Sequence, residues 1–438
     1  MTHLVEEVAI LVSAVQIQAD GYLGAAKLLH ATIKSFVSSA SRLRVTEPGT
    51  NLAFGAMYYG LGAEIARAEQ AGLTREEIRE MVAPVREIFA RSPFVRRAQV
   101  WPRGYPGDFE TIEQLVSQTN RAPEGTLAWL IESYCLGSPF AQQHRNKVAH
   151  QAGLITEAIL RPGPGPRVLI IAAGAAPDLR LVPPPIVRQG CRFVLNDYDQ
   201  AALDLAKDLL GPVARSCAFI PGNVLRAIPA LVAQGPYDLV LAGGLFDYLP
   251  DRVARFVIGK AMTRLCKPGG LFYFSNIAAG NPYRCWAEYV SDWVLIERDE
   301  PGIRRLLDDC YALIGGIRIH RDPTGLSLLT HVQRNPPDPA PSVDQPLVGC
   351  ALSGADGSDG DLAAAAGRQG ASSHGHAPAA RTTRRPGSRH CQQRPWAEPD
   401  RSGSQNPPRI DDPPAGAPHR LEGTVPCNPS SRRPCRSS

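Results

Sequence analysis

The sequence predicts an α/β protein: an open seven-stranded sheet, five strands parallel and the last two a C-terminal hairpin, with a helical region before it. Three observations carry this reading. From Arg167 to Asn276 short apolar runs alternate with helix-like stretches, the pattern of parallel strands joined by helical crossovers. Two more apolar runs then flank Asp322-Pro-Thr-Gly325, a tight-turn sequence that makes a β-hairpin. Upstream, roughly 160 residues place apolar side chains at helical spacing.

The helical part comes first. Leu4, Val8, Leu11, Val12 and Val15, then Leu28, Leu29, Ile33 and Phe36, predict a helix over residues 4–37 with a break near Asp20-Gly21. Residues 52–71 form a second helix stopped at Gly72. Thr74-Arg-Glu-Glu77 is a capping box that opens a helix running to about Phe89. Further helices fit 125–135 and 140–160, the latter ended by Arg161-Pro-Gly-Pro-Gly-Pro166, which marks a domain boundary. An N-terminal all-helical lid domain is therefore expected over residues 1–160 and a sheet domain over 167–335.

In the sheet domain, strands are expected at 168–172, 193–196, 217–220, 239–242 and 271–276, and the hairpin strands at 316–321 and 326–333. Helices are expected between them at 179–188, 200–210, 224–233 and 251–266, with one more near 302–313. Residues 336–438 hold 17 of the 40 prolines and 11 of the 40 glycines, no Phe, Tyr, Met or Lys, and one Trp, Trp396. That composition buries too little apolar surface to offset ordering entropy, so a disordered C-terminal tail is expected, functional or out-of-frame.

Composition also excludes some functions. The chain has 438 residues, 44% hydrophobic and 20% charged, as in a globular enzyme. A formal charge of +5 is too weak a bias for nucleic acid or an anionic membrane as main partner. No window reaches 18 consecutive apolar residues, so stable membrane insertion is not expected. Glu6 and Glu7 stand where a signal peptide is basic, and the ten scattered cysteines form no CxxC. They read as free thiols in a reducing cytoplasm, with no metal site expected.

Five parallel strands ending in a hairpin differ from the six-strand dinucleotide-binding order. They resemble the seven-stranded, Rossmann-like sheet of class I S-adenosylmethionine-dependent methyltransferases, in which the last strand inserts antiparallel. The strand ends extend the resemblance. After the first strand, Ala172-Ala-Gly174-Ala-Ala-Pro-Asp178 stands where the class has an acidic residue and GxGxG. Small residues such as Ala173 and Gly174 let the backbone approach the methionine part of the cofactor. Strand two ends Asn196-Asp197-Tyr198-Asp199. The resemblance implies Asp197 on the ribose hydroxyls and Tyr198 beside the adenine, with Asp199 as the next helix's N-cap. In Pro221-Gly222-Asn223-Val224, Asn223 is either the contact to the adenine amino group or simply another cap. Gly243, in the Gly-Gly pair ending strand four, allows close approach by a ligand.

Two further segments resemble a bacterial methyltransferase family that makes the methyl ester of 3-hydroxypalmitic acid, an extracellular signal. One is Arg103-Gly-Tyr-Pro-Gly-Asp-Phe-Glu-Thr-Ile-Glu113. The other is Asn281-Pro-Tyr-Arg-Cys-Trp-Ala-Glu288 with Asp292-Trp-Val-Leu-Ile-Glu-Arg298. The likeness covers roughly residues 90–333 and departs in the first loop, where Ala173, Ala175 and Ala176 replace Ser, Pro and Cys-like residues. It implies methyl transfer to a small molecule, carboxyl O-methylation of a hydroxy fatty acid or related metabolite. The 103–108 loop then closes over the cofactor, Arg103 or Tyr105 holding its carboxylate and Asp108 its amine.

Tyr283, Arg284, Trp286, Tyr289 and Trp293 follow strand five, where acceptors bind, and line the expected acceptor pocket. Arg284 or Arg298 is the expected partner of an acidic headgroup, and Glu288 the candidate base. Other readings remain open: methylation at nitrogen, carbon or a hydroxyl, a non-catalytic cofactor-binding regulator, or an NAD-dependent oxidoreductase, the last disfavoured by the missing GxGxxG.

Overall fold

Apolar runs Val168–Ile171 and Leu239–Ala242 are buried on both faces, as central parallel strands should be. In the computed structural model, Leu169, Ile171 and Val240 point into one apolar layer and Val168, Ile170, Leu239 and Leu241 into the other. The structure describes residues 2–187 and 190–336, with side chains from Gly21 onward. The tail expected from 336 lies, past that residue, outside the described residues, as do the apolar side chains named between Leu4 and Val15.

The helical part comprises α1 (Thr2–Ala40), α2 (Thr50–Gln70), α3 (Arg75–Met81), α4 (Ala83–Phe89), α5 (Pro93–Val100), α6 (Phe109–Ser117), α7 (Leu127–Gly137) and α8 (Pro139–Leu160). The sheet part follows as β1 (Arg167–Ile171), α9 (Pro177–Arg180), β2 (Arg192–Asp197), α10 (Gln200–Leu210), β3 (Cys217–Pro221) and α11 (Val224–Gln234). It continues with β4 (Tyr237–Ala242), α12 (Asp251–Lys260), β5 (Cys266–Ile277), α13 (Glu300–Leu307), β6 (Ile314–Arg321) and β7 (Ser327–Arg334).

The seven strands lie in the order β3-β2-β1-β4-β5-β7-β6. β1 to β5 pair in parallel, and β7 inserts antiparallel between β5 and β6. Five parallel strands and a hairpin whose last strand inserts antiparallel are what the sequence leads one to expect. The strand order reverses between β1 and β4, which opens a crevice at their C-terminal ends.

Several helix boundaries depart from expectation, each for a local reason. α1 runs unbroken through Asp20-Gly21. One glycine costs only about 1 kcal/mol in a helix, and Leu29, Ile33 and Phe36 anchor the following turns in the core. The expected 74–89 helix divides at Val82, because Pro84 has no N–H to continue the ladder. The 179–188 helix shrinks to α9, since Pro183-Pro-Pro185 cannot extend it. α5 and α6, absent from the sequence reading, are short and opened by the N-caps Ser92 and Asp108.

Helix α8 joins the two parts. Near its start, Ala141 packs with the helical core, whereas Leu154, Ile155 and Ile159 pack on the sheet beside Val168, Phe193 and Leu241. The segment after β5 does the reverse. It leaves the sheet and inserts Trp286 among Phe36, Phe54, Tyr58 and Phe89, stacked on Tyr58 with ring centroids 3.9 Å apart.

Candidate functional site

The site is assembled where β1, β2 and β3 end. Asp197 closes β2 and is 9% exposed. Its Oδ2 accepts the Gly174 N–H at 2.8 Å and its Oδ1 the Asp199 N–H at 2.9 Å. Its backbone carbonyl accepts the Gly222 N–H at 2.8 Å. One residue therefore ties three strand-end loops together. Burial raises its pKa while the backbone N–H groups oppose that rise. The Tyr198 N–H also faces this carboxylate, and of its roughly four lone-pair sites acceptor capacity is left for a ligand hydroxyl.

The β1 loop is backbone-strained. Ala172, Gly174 and Ala176 all have positive φ, at 52°, 54° and 53°. An alanine held there costs roughly 1–2 kcal/mol, and such outliers concentrate at ligand clamps. Ala173 is buried, Gly174 half-buried and Ala172 exposed. In the β3 loop, Gly222 has φ 122° and nothing within 4 Å of where a Cβ would stand.

The Arg103–Asp108 loop reaches this place, as the sequence implied, but with different pairings. Arg103 donates to both carboxylate oxygens of Asp199, its Nη2 to Oδ1 at 2.8 Å, and its Nη1 reaches Glu110 at 3.1 Å. The Tyr105 hydroxyl points at Asp199 Oδ2 from 3.4 Å, and its ring meets Tyr198 edge-on at 6.4 Å. Burial and the nearby acids Asp197, Asp199 and Asp108 push the Tyr105 phenol well up, so it stays protonated.

Asp108, expected on the cofactor's amine, is instead a buried helix cap. It is 2% exposed, accepts the Thr111 N–H at 2.9 Å and pairs with Arg97 at 2.8 Å. Asn223 likewise caps α11, its Oδ1 accepting the Leu225 N–H at 2.9 Å, and Val224 is buried at that helix's first turn. Gly243 makes room for α8: a Cβ there would stand 2.2 Å from the Gln151 amide nitrogen.

The post-β5 residues divide into two groups. Trp286, 3% exposed, donates its indole N–H to the Tyr58 carbonyl at 3.0 Å. Tyr289 donates to Glu69 at 2.6 Å, and Arg284 pairs with Glu69 and, at 3.2 Å, with Glu288. Glu288 also faces Arg75 at 3.6 Å. These four, expected as acceptor contacts and base, hold the segment onto the helical core. Arg298 is engaged too, by Asp251, Asn276 and the Phe246 and Leu249 carbonyls. Both cations expected to meet an acidic headgroup are thus bound within the fold.

Trp293 and Tyr283 are also buried in the helical core, Trp293 beside Tyr248 of the loop after β4. The Trp293 indole N–H donates to the Tyr248 hydroxyl at 2.8 Å, and a Cβ on Gly107 would stand 2.3 Å from that hydroxyl and 2.8 Å from the Trp293 ring. Tyr283 lies 6.1 Å from Phe140 and shares a 2.7 Å hydrogen bond with Tyr59.

Residues not singled out in the sequence complete this wall. His144, 8% exposed, stacks on Trp293 at 5.5 Å, and its Nε2 has no hydrogen-bond partner. Burial, with Lys147 and Arg145 nearby, holds its pKa well below the usual imidazole value, so the ring is neutral. One turn on, Lys147 pairs with Asp247 at 3.3 Å, both almost fully buried. Asp247 also accepts the Ile277 N–H at 2.5 Å, joining the β4 and β5 ends. The spacing of 143, 144, 147 and 151 along one helical face was the available signal, masked by the apolar pattern around it. The two described cavities, about 340 and 470 Å³, lie at the opposite edge of the sheet and touch none of these loops.

No family model and no curated protein matches this chain. Solved structures similar to it include a "possible exported protein" from Bordetella parapertussis, 16% identical, covering 73% of this chain and 97% of its own, with a TM-score of 0.45. Another is magnesium protoporphyrin IX methyltransferase from Synechocystis with S-adenosylhomocysteine bound: 14% identity, 46% and 88% coverage, TM-score 0.33. A third is an O-methyltransferase of tomaymycin synthesis from Streptomyces achromogenes in complex with S-adenosylmethionine: 13% identity, 53% and 91% coverage, TM-score 0.32. The fold assignment rests on the strand order of the sheet itself. Among the described residues no helix is long and apolar enough to cross a membrane.

Proposed function

We propose that this chain is an S-adenosylmethionine-dependent methyltransferase acting on a small apolar molecule, with the carboxylate of a hydroxy fatty acid or related signalling metabolite as acceptor. The observation that carries the cofactor reading is Asp197, which links the β1, β2 and β3 loops and keeps carboxylate acceptor capacity for the ribose. The open space above Gly222 and the positive-φ β1 loop fit the same ligand. Tyr105 and Tyr198 would flank it, and Arg103, through Asp199, would keep the covering loop in position.

S-adenosylmethionine supplies a sulfonium-bound methyl group already activated for in-line displacement. The protein's task is alignment and exclusion of water, and orientation can lower a barrier by roughly 7–11 kcal/mol. A carboxylate acceptor is ionised at neutral pH and needs no base, only desolvation. With Arg284 and Arg298 engaged elsewhere, Lys147, one helical turn from His144, is a buried cation beside the Trp293–His144 wall, and its ammonium keeps donors beyond its bond to Asp247.

A second reading is favoured by one observation. The neutral His144 ring has a buried Nε2 with no partner, which suits a base accepting a proton from a hydroxyl acceptor. Calorimetry with S-adenosylmethionine against NAD tests the cofactor. Mass spectrometry of products from 3-hydroxy fatty acids, their amides and their alcohols tests the acceptor. Methyl esters formed equally by wild type and His144→Gln support the carboxylate reading. Methyl ethers that vanish in His144→Gln support the hydroxyl one, and NAD binding without S-adenosylmethionine binding rejects both.

A further inference from the structure

Three histidines from three elements converge toward the β6 edge of the sheet, away from the β1–β3 ends: His150 of α8, His320 of β6 and His331 of β7. One ring nitrogen from each lies within 4.8 Å of the other two. His150 Nε2 and His331 Nε2 are 3.0 Å apart. Imidazoles sharing a tetrahedral zinc ion at 2.0–2.1 Å stand about 3.3 Å apart, so this pair is already near ligand spacing. His320 stacks on His331 with centroids 5.3 Å apart, and its Nδ1 is buried with no hydrogen-bond partner. A cavity of about 470 Å³, lined by Asn146, His150, His320 and Asp322 among others, borders the cluster. A water ligand can enter from there.

We infer that His150, His320 and His331 form a binding site for one divalent transition-metal ion of the zinc class. Three neutral imidazoles with no thiolate favour Zn²⁺, Co²⁺, Ni²⁺ or Cu²⁺ over Mg²⁺ or Ca²⁺, which take oxygen ligands. Burial and the neighbouring imidazoles and Arg318 keep His150 and His331 unprotonated at neutral pH. A bound ion would pin α8 to the hairpin, and the fourth position would face the cavity.

The competing arrangement is a plain hydrogen bond between His150 and His331. In it the exposed Arg318 donates to His331 Nδ1, 3.4 Å away, and leaves the proton on Nε2. Metal binding moves that proton to Nδ1, where it meets the Arg318 N–H groups. Removing Arg318 therefore relieves a clash only if the metal reading is right.

The probe is Co²⁺ added to the EDTA-stripped full-length chain, read by its visible ligand-field bands and displaced by Zn²⁺. One Co²⁺ per chain is expected, in a four- or five-coordinate spectrum, with melting raised by roughly 4–8 °C at a hundredfold excess over Kd. His320→Asn, at the half-buried hairpin edge, and His331→Gln each weaken binding by about a hundredfold or more. Arg318→Ala, a surface change that leaves the core intact, tightens it about three- to tenfold. No retained Co²⁺ overturns the proposal. So does binding that survives His320→Asn, which would put the metal on other residues such as His374, His376, His390 or His419. Unchanged or weaker affinity in Arg318→Ala overturns it as well.

Discussion

Asp197 differs from the other acids and amides near it in what its side chain caps. Asp108, Asp199 and Asn223 each accept the N–H of a residue in the first turn of the helix they open. Asp197 opens no helix and holds two loops instead. Asp197→Ala is accordingly expected to weaken S-adenosylmethionine binding by roughly 1–3 kcal/mol. Isothermal titration on protein whose far-UV spectrum is unchanged checks this, and unaltered affinity would remove Asp197 from the ribose. Asp178, buried at the start of α9, has its pKa pushed up from 3.8 to about 6, chiefly by desolvation. Its folded form holds the proton more tightly than the unfolded chain does. Stability from this group is therefore complete below about pH 3.8 and lost as pH rises through about 6. At about 1.4 kcal/mol per unit, the loss is roughly 2–3 kcal/mol. His144, His150 and His331, with lowered pKa values, act in the opposite sense. The measurement is thus a difference between wild type and Asp178→Asn in urea midpoint at pH 5 and pH 8. Asp178→Asn should gain on wild type at the higher pH, and an equal difference at both would contradict the assignment.

At the scale of elements, the 101–108 loop and its glycines give a paired test. Gly104 and Gly107 both have positive φ, 82° and 65°, but only Gly107 is crowded, by Tyr248 and Trp293. Gly104→Ala should cost only the left-handed strain, about 1 kcal/mol. Gly107→Ala adds a clash with two engaged aromatics and should cost more than about 2 kcal/mol while loosening cofactor binding. Thermal melts and titrations of both variants compare them, and equal losses would mean that Tyr248 and Trp293 yield freely. The elements that sequence revealed best are those whose signal is local. The strands of β1 to β5, the hairpin turn at Asp322 and the capping box at Thr74 all lie where their residue patterns indicate. What the sequence hid was non-local. Nothing in Trp286 or Tyr289 says that they pack on α1, α2 and α4 rather than face an acceptor. Aromatic and basic residues at helical spacing serve either role, and only the partners Tyr58 and Glu69, over 200 positions away, decide it. The role of His144 is hidden for the same reason, since its Trp293 partner lies 149 residues downstream.

For the whole molecule, the described packing closes at Asn335. Its N–H donates to the Leu313 carbonyl at 2.9 Å and its side-chain amide to the Ala312 carbonyl at 3.0 Å. Its own carbonyl accepts the Gly269 N–H at 3.0 Å, so the end of β7 is tied to both the β6 entrance and the β5 turn. Beyond it the sequence turns to Pro336-Pro337, where no further strand hydrogen bonds can form on the N–H side. A chain ending at Asn335 keeps all three of these bonds and every residue of the three main apolar clusters. It is expected to melt within about 2 °C of the full-length protein, as a change away from packed features should, and to bind S-adenosylmethionine with unchanged affinity. The same cut removes four of the ten histidines and four of the ten cysteines. Co²⁺ binding that persists in the shortened chain therefore needs none of those tail residues, and among the described residues His150, His320 and His331 are the imidazoles that come together. A fall of many degrees on truncation, measured by scanning calorimetry at equal protein concentration, would mean instead that residues after Asn335 cover part of the apolar surface, and the domain would have to be redrawn to include them.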